Sequence, residues 1–281
     1  MMGCHLNSYI PKVLSIAGSD SSGGAGIQAD LKTITSLGCY GMTVITAVTA
    51  QNTLGVDQIE QLSENLVSSQ FRAIENDFRI DALKIGMIGN THTVQLLSQL
   101  LGPLRQNVVL DPVMVASSGA ILGEGNIQDA IANLLFPISR LITPNLIEAK
   151  AFLNVSDIQA SEMIDAAHAL LKLGAKAVLL KGGHLSNDLL KDVLVEKIGQ
   201  QTVVTEFHHP RISTKNTHGT GCTLSSAIAC GLALKMPLQD AVAQGVEYTQ
   251  RAIIASSRVA NQELGTGHGS LWHAFKQYPI D

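Results

Sequence analysis

Short apolar segments that alternate with helix-forming segments constrain the fold of this chain most strongly. Within Gly26–Leu37, for example, Ile27, Leu31 and Ile34 recur at helical spacing. Strands separated by helices form mostly parallel sheets that are covered on both faces. We therefore predict an α/β fold with a mostly parallel central sheet between two helical layers. The predicted strands are Lys12–Gly18, Met42–Ala50, Ala82–Gly89, Asn107–Val115, Arg140–Asn145 and Lys176–His184.

The rest of the chain fits the same pattern and suggests one domain. A hairpin is predicted over Asp192–Phe207, with its turn at Gly199. The chain contains no Pro/Ser linker, low-complexity tract or repeat, so we expect one domain over residues 10–281 after a loose N-terminal extension of residues 1–9. Further helices are predicted at Ser63–Glu75, Thr91–Leu101, Ile127–Leu135, Leu146–Leu153, Ser161–Leu173, Cys222–Leu234 and Leu238–Ser256.

Composition excludes several functional classes. The 281 residues carry a formal net charge of -4, which provides no electrostatic footprint for nucleic acid or an anionic membrane. No apolar run is long enough to span a bilayer, and the first residues lack the pattern of a secretion signal. The four cysteines form no C-x-x-C pair. We expect reduced thiols and a cytoplasmic protein.

The segment Asn216–Gly231 combines a glycine-rich turn with a helix of small residues. Gly219 and Gly221 have no Cβ, so the backbone of this turn can approach a ligand closely. The following helix adds unpaired N–H groups and the positive end of its dipole, which favour a phosphate. Cys222 falls in the first helical turn, where a thiolate is stabilised. The alternative is a turn that caps a buried helix, with Cys222 in the core.

Small and polar residues follow six of the predicted strands. Ligands of open α/β sheets bind beyond the carboxyl ends of the strands, so these residues indicate a site at that edge. A purely structural role does not require such a set. It comprises Gly18, Ser19 and Asp20; Gln51 and Asn52; Gly86 and Met87; Asp111 and Pro112; Thr143, Pro144 and Asn145; and Lys181 and Gly182.

Seven segments carry further information: AGSDSSGGAGIQADLK (17–32), TAVTAQNT (46–53), KIGMIG (84–89), DPVM (111–114), LITPNLIEA (141–149), LKGGH (180–184) and THGTGCTLSSA (217–227). In this order they resemble the ribokinase-like superfamily, and within it the hydroxymethylpyrimidine/phosphomethylpyrimidine kinases. The resemblance implies a ribokinase-like fold, ATP and Mg²⁺, a pyrimidine substrate and a homodimer. The implied reaction phosphorylates 4-amino-5-hydroxymethyl-2-methylpyrimidine, and then its monophosphate, in thiamine biosynthesis.

The resemblance also assigns substrate-binding residues. Gln51 offers a donor and an acceptor that complement an aminopyrimidine edge. Asp30 is implied to hydrogen-bond the pyrimidine, although a helix acid of this kind more often faces solvent. Gly18 lies at the first strand end. Met87 and Val113 are implied to flank the ring, and each would otherwise be read as a core residue.

Nucleotide and metal residues follow from the same segments. Asn145 and Glu148 match the superfamily's Asn-x-x-Glu pattern, which supports a hydrated Mg²⁺, and Asp111 offers a second carboxylate. Glu148 is equally explained as an acid in a first helical turn. Lys181 can neutralise the charge of the ATP phosphates or extend into solvent. The resemblance places the nucleotide beside Asn145, Lys181, Thr214, Asn216 and Gly221.

Catalysis is assigned to Cys222, Lys181 and the turn Gly219-Thr220-Gly221. Sugar kinases of the superfamily carry an aspartate at the position of Cys222, and the pyrimidine kinases carry cysteine. We hypothesise that Cys222 accepts the hydroxymethyl proton while the turn holds the transferring phosphoryl group. Many relatives also have a lysine where this chain has Ser117. Without this lysine, the chain lacks a cation that could hold the monophosphate when the second phosphoryl group is transferred.

Three other functions remain open from the sequence. A pyridoxal kinase of the same fold would also phosphorylate a hydroxymethyl group, and a non-catalytic vitamer-binding module could retain the same segments. A sugar or nucleoside kinase is disfavoured by Cys222. The glycine-rich segments Ser21–Gly26 and Ser117–Gly125 are candidate lids, because such loops change conformation cheaply.

Overall fold

One mixed sheet runs through the protein. The computed structural model describes residues 9–102, 107–114, 127–183, 185, 188–259 and 263–279. The strands in these ranges are β1 Lys12–Asp20, β2 Tyr40–Gln51, β3 Val56–Gln61, β4 Ala82–Ile85, β5 Asn107–Leu110, β6 Leu141–Ile142, β7 Ala177–Leu180, β8 Leu189–Ile198 and β9 Gln201–Pro210. Their order is β3-β2-β1-β4-β5-β6-β7-β8-β9. The six central strands β2, β1, β4, β5, β6 and β7 pair in parallel. At the two edges, β3 pairs antiparallel with β2, and β8 pairs antiparallel with β7 and β9.

Helices cover both faces of this sheet. They are α1 Gly26–Ser36, α2 Glu64–Glu75, α3 Thr91–Leu101, α4 Ile127–Ala130, α5 Leu146–Leu153, α6 Met163–Leu171, α7 Thr220–Ala233 and α8 Leu238–Ser257. A π-helix over Ile131–Leu135 continues α4, and a 3₁₀ turn over Ala160–Glu162 precedes α6. In the described part of the chain, none of these helices has the length and apolarity to cross a bilayer.

Alternating side chains of the central strands enter two separate cores. Val13 packs in the core beneath α1, α7 and α8, whereas its neighbour Leu14 packs in the core beneath α2 to α6. Ala82 and Leu83 divide in the same way. A strand with both faces buried needs apolar residues at successive positions, which is why these segments read as continuous apolar runs. The predicted three-layer α/β fold is confirmed.

The predicted elements differ from the observed ones mainly at their ends. Both α3 and α5 have the predicted bounds, whereas the strand predicted over Ala82–Gly89 ends at Ile85. Strand β3 was not predicted, because its edge position leaves its residues half-buried or exposed and it lacks an apolar run. The predicted hairpin turns at Gly199 but is longer, spanning β8 and β9. Residues 1–8, Ser117–Gly125 and His184 lie outside the described residues.

A buried ion pair joins the elements whose ends approach one another at the carboxyl edge. Lys84 Nζ on β4 donates to both carboxylate oxygens of Asp30 on α1, at 2.9 and 2.8 Å. Ser15 on β1 and Ser226 on α7 donate to the same carboxylate at 2.5 and 2.8 Å. All four side chains are fully buried. Burial by itself lowers the pKa of Lys84, but Asp30 and other nearby acidic groups raise it above its usual value.

We expect this pair to matter far more for stability than a surface pair. Lys84→Met leaves the Asp30 carboxylate buried without a counter-charge, and should lower the free energy of unfolding by about 3–5 kcal/mol in urea titrations. Combining Lys84→Met with Asp30→Asn removes both charges and should restore part of the loss. Lys191→Met breaks the exposed pair with Glu206 and should cost less than about 1 kcal/mol. Equal losses for the two lysine variants would contradict the expectation.

Candidate active site

A cavity of about 900 Å³ opens along the carboxyl edge of the parallel strands. The structure brings most of the predicted site residues into its wall, from Gln51 on β2 to Lys181 after β7. Of the residues assigned to the substrate, the nucleotide, the metal or catalysis, three do not line it: Asp30, Thr214 and Asn216. Those that do are Gly18, Gln51, Met87, Asp111, Val113, Asn145, Glu148, Lys181, Gly219, Thr220, Gly221 and Cys222.

The glycine-rich turn at the start of α7 has the geometry of an anion site. Gly219 caps the helix with φ +85°, and a Cβ at this position would lie 1.8 Å from the Gly24 carbonyl oxygen. Thr223 makes the first helical bond, from its N–H to the Gly219 carbonyl at 2.9 Å. The amides of Gly221 and Cys222 precede it and have no partner within the helix. A ligand anion in the cavity can therefore accept from them.

Asp20 organises the loop that faces this turn. Its carboxylate accepts from the Ser22 amide at 2.9 Å, the Ala25 amide at 2.8 Å and His218 Nε2 at 2.8 Å. Burial by itself raises the pKa of Asp20, but these hydrogen bonds outweigh it and lower the pKa to about 2. The contact with His218 ties the loop after β1 to the turn before α7. No role was predicted for His218, because a single histidine beside a glycine turn carries no specific signal.

One end of the cavity has flat apolar walls and a polar edge. Met87 packs with Val113 in a small apolar cluster that includes Val56 and Ile59 of β3. The side-chain amide of Gln51 lies 3.4 Å from His218 Nε2 and 3.1 Å from Thr49 Oγ1. A small planar ring could pack against this apolar surface and meet the amide at its edge.

An acidic and a basic side chain meet at the middle of the cavity. Lys181 Nζ lies 2.8 Å from Asp111 Oδ1, which also accepts from Thr143 Oγ1 at 3.0 Å. Burial by itself lowers the pKa of Lys181, but Asp111 and Glu148 raise it above its usual value, so the ammonium is charged. Asp111 Oδ2 is buried and has no hydrogen-bond partner in the described structure. A Cβ on Gly221 would lie 3.1 Å from this oxygen, so the turn and the carboxylate are adjacent.

The Asn-x-x-Glu pattern forms a capping box at the start of α5. The Glu148 amide donates to Asn145 Oδ1 at 2.9 Å, and the Asn145 amide donates to Glu148 Oε2 at 2.8 Å. Burial of the Glu148 carboxyl, with a smaller contribution from Asp111, raises its pKa to about 7 despite the nearby Lys181. A helix cap alone does not require a buried acid, so its position in the cavity wall suggests an additional role.

The expected thiolate at Cys222 is not supported. Burial raises the pKa of this thiol to about 11, and Asp30 and Asp111 contribute in the same direction. The ammonium of Lys84 and the Gly26 amide lower the pKa but do not compensate. The expectation of a lowered pKa is therefore wrong, because the helix N-terminus acts on a half-buried thiol whose hydration is reduced. Cys230 is fully buried in the core, as predicted.

Two further assignments are corrected by the packing. Asp30 cannot hydrogen-bond a ligand in the cavity, because it is fully buried and both its oxygens are occupied by Lys84 and two serines. Asn216 Nδ2 donates to the Ser256 carbonyl at 2.7 Å, so its amide anchors the loop to the end of α8. Thr214 Oγ1 accepts from the Asn216 amide at 3.1 Å within the same loop. These residues support the site from outside its wall.

A dedicated metal cage is not present among the described residues, which contain no cluster of three or more potential metal ligands. The carboxylates of Asp111 and Glu148 nevertheless line the same cavity, and Asp111 Oδ2 is free of protein partners in the described structure. Mg²⁺ in phosphoryl-transfer sites usually keeps several waters and takes one or two carboxylates. The donor set fits such a hydrated ion.

Comparison with known proteins agrees with this geometry. The model of the phosphomethylpyrimidine kinase family matches residues 20–272. The chain belongs to this family. It is 44% identical to the hydroxymethylpyrimidine/phosphomethylpyrimidine kinase of Rhizobium meliloti, over 92% of this chain and 96% of that protein. Its fold is ribokinase-like, as the resemblance predicted, and it is a kinase.

Two further proteins extend the comparison. The chain is 45% identical to the thiamine biosynthesis bifunctional protein ThiED of Geobacter sulfurreducens, over 93% of this chain but only 52% of that protein. The structure of the Staphylococcus aureus pyridoxal kinase in complex with AMP-PCP and pyridoxal matches with a TM-score of 0.84 and 28% identity. That match covers 96% of each chain. The fold therefore accommodates a nucleotide analogue and a small ring together in that relative.

We expect Glu148 to reduce stability in its ionised form. Its folded pKa of about 7 exceeds the usual value, so the cost is complete above pH 7 and disappears as the pH falls below about 4.5. Glu148→Gln keeps an acceptor for the Asn145 amide. It should raise the melting temperature at pH 8 in EDTA by on the order of 5 °C, and by little at pH 4.5.

Glu162→Gln provides the matched control, because Glu162 forms a capping box with Gln159 at an exposed position. It should give no pH-dependent gain in melting temperature. A Glu148→Gln protein that is less stable than the parent at pH 8 would show that the ionised carboxylate stabilises the fold.

Proposed function

We propose that this chain transfers the γ-phosphoryl group of ATP to 4-amino-5-hydroxymethyl-2-methylpyrimidine, and then to the resulting monophosphate, in thiamine biosynthesis. One observation supports this most directly. At one end of the cavity, Met87 offers an apolar surface and Gln51 offers a side-chain amide at its edge. The same cavity extends to the anion-binding turn at Gly219–Gly221. The Rhizobium meliloti relative is named as a kinase of both pyrimidines, and the Geobacter sulfurreducens relative is named for thiamine biosynthesis. A homodimer, which the family resemblance implies, is part of the proposal.

The ring is proposed to pack against Met87 and Val113, with its amino edge at the Gln51 amide. This amide can donate and accept, which matches the paired donor and acceptor of an aminopyrimidine. Bound this way, the hydroxymethyl group can point toward Cys222 and the turn. Because an ordered turn and ring pocket hold both reactants, positioning provides a large part of the rate increase.

Charge stabilisation is proposed to provide the rest. The amides of Gly221 and Cys222 and the charged Lys181 converge on the place where negative charge develops during transfer. Asp111 and Glu148 are proposed to hold Mg²⁺ through its waters. The ion would neutralise charge on the ATP phosphates. Asp111 also accepts from Lys181, and this hydrogen bond orients the ammonium within the cavity.

The two steps make different demands on Cys222. In the first step the acceptor is an alcohol that must lose its proton, and the Cys222 thiolate would accept it. In the second step the acceptor is a phosphate oxygen with little or no proton to lose. A thiol with a pKa of about 11 supplies thiolate only as a minor form. The small fraction of thiolate therefore lowers the rate of the first step, which needs a proton acceptor, and does not affect the second step.

The direct test is mass spectrometry of the products formed from ATP and Mg²⁺ with each candidate acceptor. We expect the hydroxymethylpyrimidine to yield the monophosphate and then the diphosphate, and pyridoxal to react more slowly. ADP release without a phosphorylated pyrimidine would overturn the proposal. Supplying the monophosphate alone isolates the second step, for which the family's lysine is replaced by Ser117, outside the described residues.

Variants of two residues test the proposed roles. Cys222→Ala should slow the first step by about 10²-fold, because it removes the proton acceptor, and should slow the second step by less than about tenfold. Lys181→Met should slow both steps by at least about 10²-fold, because both develop the same charge. Initial rates with each acceptor supplied separately measure the contrast. Equal losses in both steps for Cys222→Ala would assign that residue to positioning only.

A further inference from the structure

A chain of hydrogen bonds lines the end of the cavity that lies opposite the ring-binding walls. The Gly182 amide donates to Asp192 Oδ1 at 2.8 Å, and His209 Nε2 lies 3.1 Å from Asp192 Oδ2. Gln250 Nε2 lies 2.8 Å from His209 Nδ1. Asp192, His209 and Gln250 come from β8, β9 and α8, and all three line the cavity. None of the three takes part in the proposed phosphoryl transfer.

The chemical groups in these hydrogen bonds determine which atom donates and which atom accepts. A carboxylate only accepts, so His209 Nε2 carries a proton, and in the neutral imidazole His209 Nδ1 is then an acceptor. Gln250 must therefore present its NH₂ group to His209. The opposite orientation of the amide would set two acceptors face to face. It follows that Gln250 Oε1 points away from His209 and is held as an acceptor.

This oxygen lacks a partner in the protein. Gln250 Oε1 is buried and makes no hydrogen bond within the described structure. Buried acceptors without partners are rare and costly, so a ligand donor that reaches this oxygen gains more than it would at a solvated group. Val246 and Ile253 line the same end of the cavity, as does Ile212, and they provide apolar surface for a flat ring. The end is therefore suited to a planar heterocycle with an N–H donor on its edge.

This end of the cavity lies where the base of a nucleotide bound at the anion turn would be expected. Asp111 follows β5 and Asp192 lies on β8, which is three strands away in the sheet order. Three strand spacings amount to about 14 Å. A triphosphate and ribose that start at the anion turn extend in this direction, because the pyrimidine walls occupy the other side. We propose that Gln250, oriented by His209 and Asp192, accepts a hydrogen bond from the exocyclic amine of adenine and selects 6-amino over 6-oxo purines.

This inference rests on the proposed kinase function, and the test compares ATP with ITP, in which an oxo group replaces the amine. The parent enzyme should have a KM for ITP about tenfold higher than for ATP. Gln250→Met should reduce this ratio to about one. His209→Leu should also reduce it, because the Gln250 amide can then turn its NH₂ toward a 6-oxo group. Gln239→Met, an exposed position on the same helix, should leave the ratio unchanged.

Calorimetric binding of ADP and IDP to the same proteins separates the two proposals. If ADP binds and the pyrimidine is phosphorylated but the ATP/ITP ratio is unaffected by Gln250→Met, the base contact is overturned and the kinase function stands. If Gln250→Met instead changes the discrimination against 2′-deoxy- or 3′-deoxy-ATP, Gln250 contacts the ribose and the inference fails. If no acceptor is phosphorylated but ADP still binds more tightly than IDP in a Gln250-dependent way, only the proposed function fails.

Discussion

The buried Asp30–Lys84 pair is the interaction on which the site depends. Its carboxylate is shared by β1, α1, β4 and α7 through Ser15, Lys84 and Ser226. Each of these elements has one end at the cavity: the loop after β1, the start of α1, the segment after β4 and the turn before α7. Because an unpaired charge at this depth is expensive, the four elements cannot separate without a large cost. The pair thus fixes the relative positions of the cavity wall after β1 and β4 and the glycine-rich turn before α7.

The two glycine-rich loops are joined above this pair. Gly24 and Gly219 approach so closely that a side chain on Gly219 would collide with the Gly24 carbonyl oxygen, and Asp20 and His218 connect the same loops by a hydrogen bond. A displacement of one loop therefore strains the other. The loop after β1 and the turn before α7 therefore cannot shift independently of each other.

The sequence alone predicted the α/β fold and most elements. A strand that is buried on both faces has apolar residues at successive positions, as in Ala177–Leu180, and such a run is easily recognised. It missed β3, whose edge position removes that signature. The Asn145–Glu148 pattern was ambiguous, since a capping box and a site acid use the same two residues, and the structure shows that Glu148 is both cap and cavity wall. Asp30 was misassigned because helical periodicity places it on α1 but does not reveal Lys84 opposite to it.

The sequence by itself determined which residues gather at the carboxyl edge, because parallel strands bring their ends together whatever the details of packing. Tertiary structure decided what each residue can do there. Burial set the protonation of Cys222 and Glu148, and contacts between distant segments oriented His209 and Gln250. These properties depend on which groups exclude water from a side chain and which groups pair with it. His209 and Gln250, for example, are 41 residues apart in the sequence, so no local sequence pattern can predict their contact.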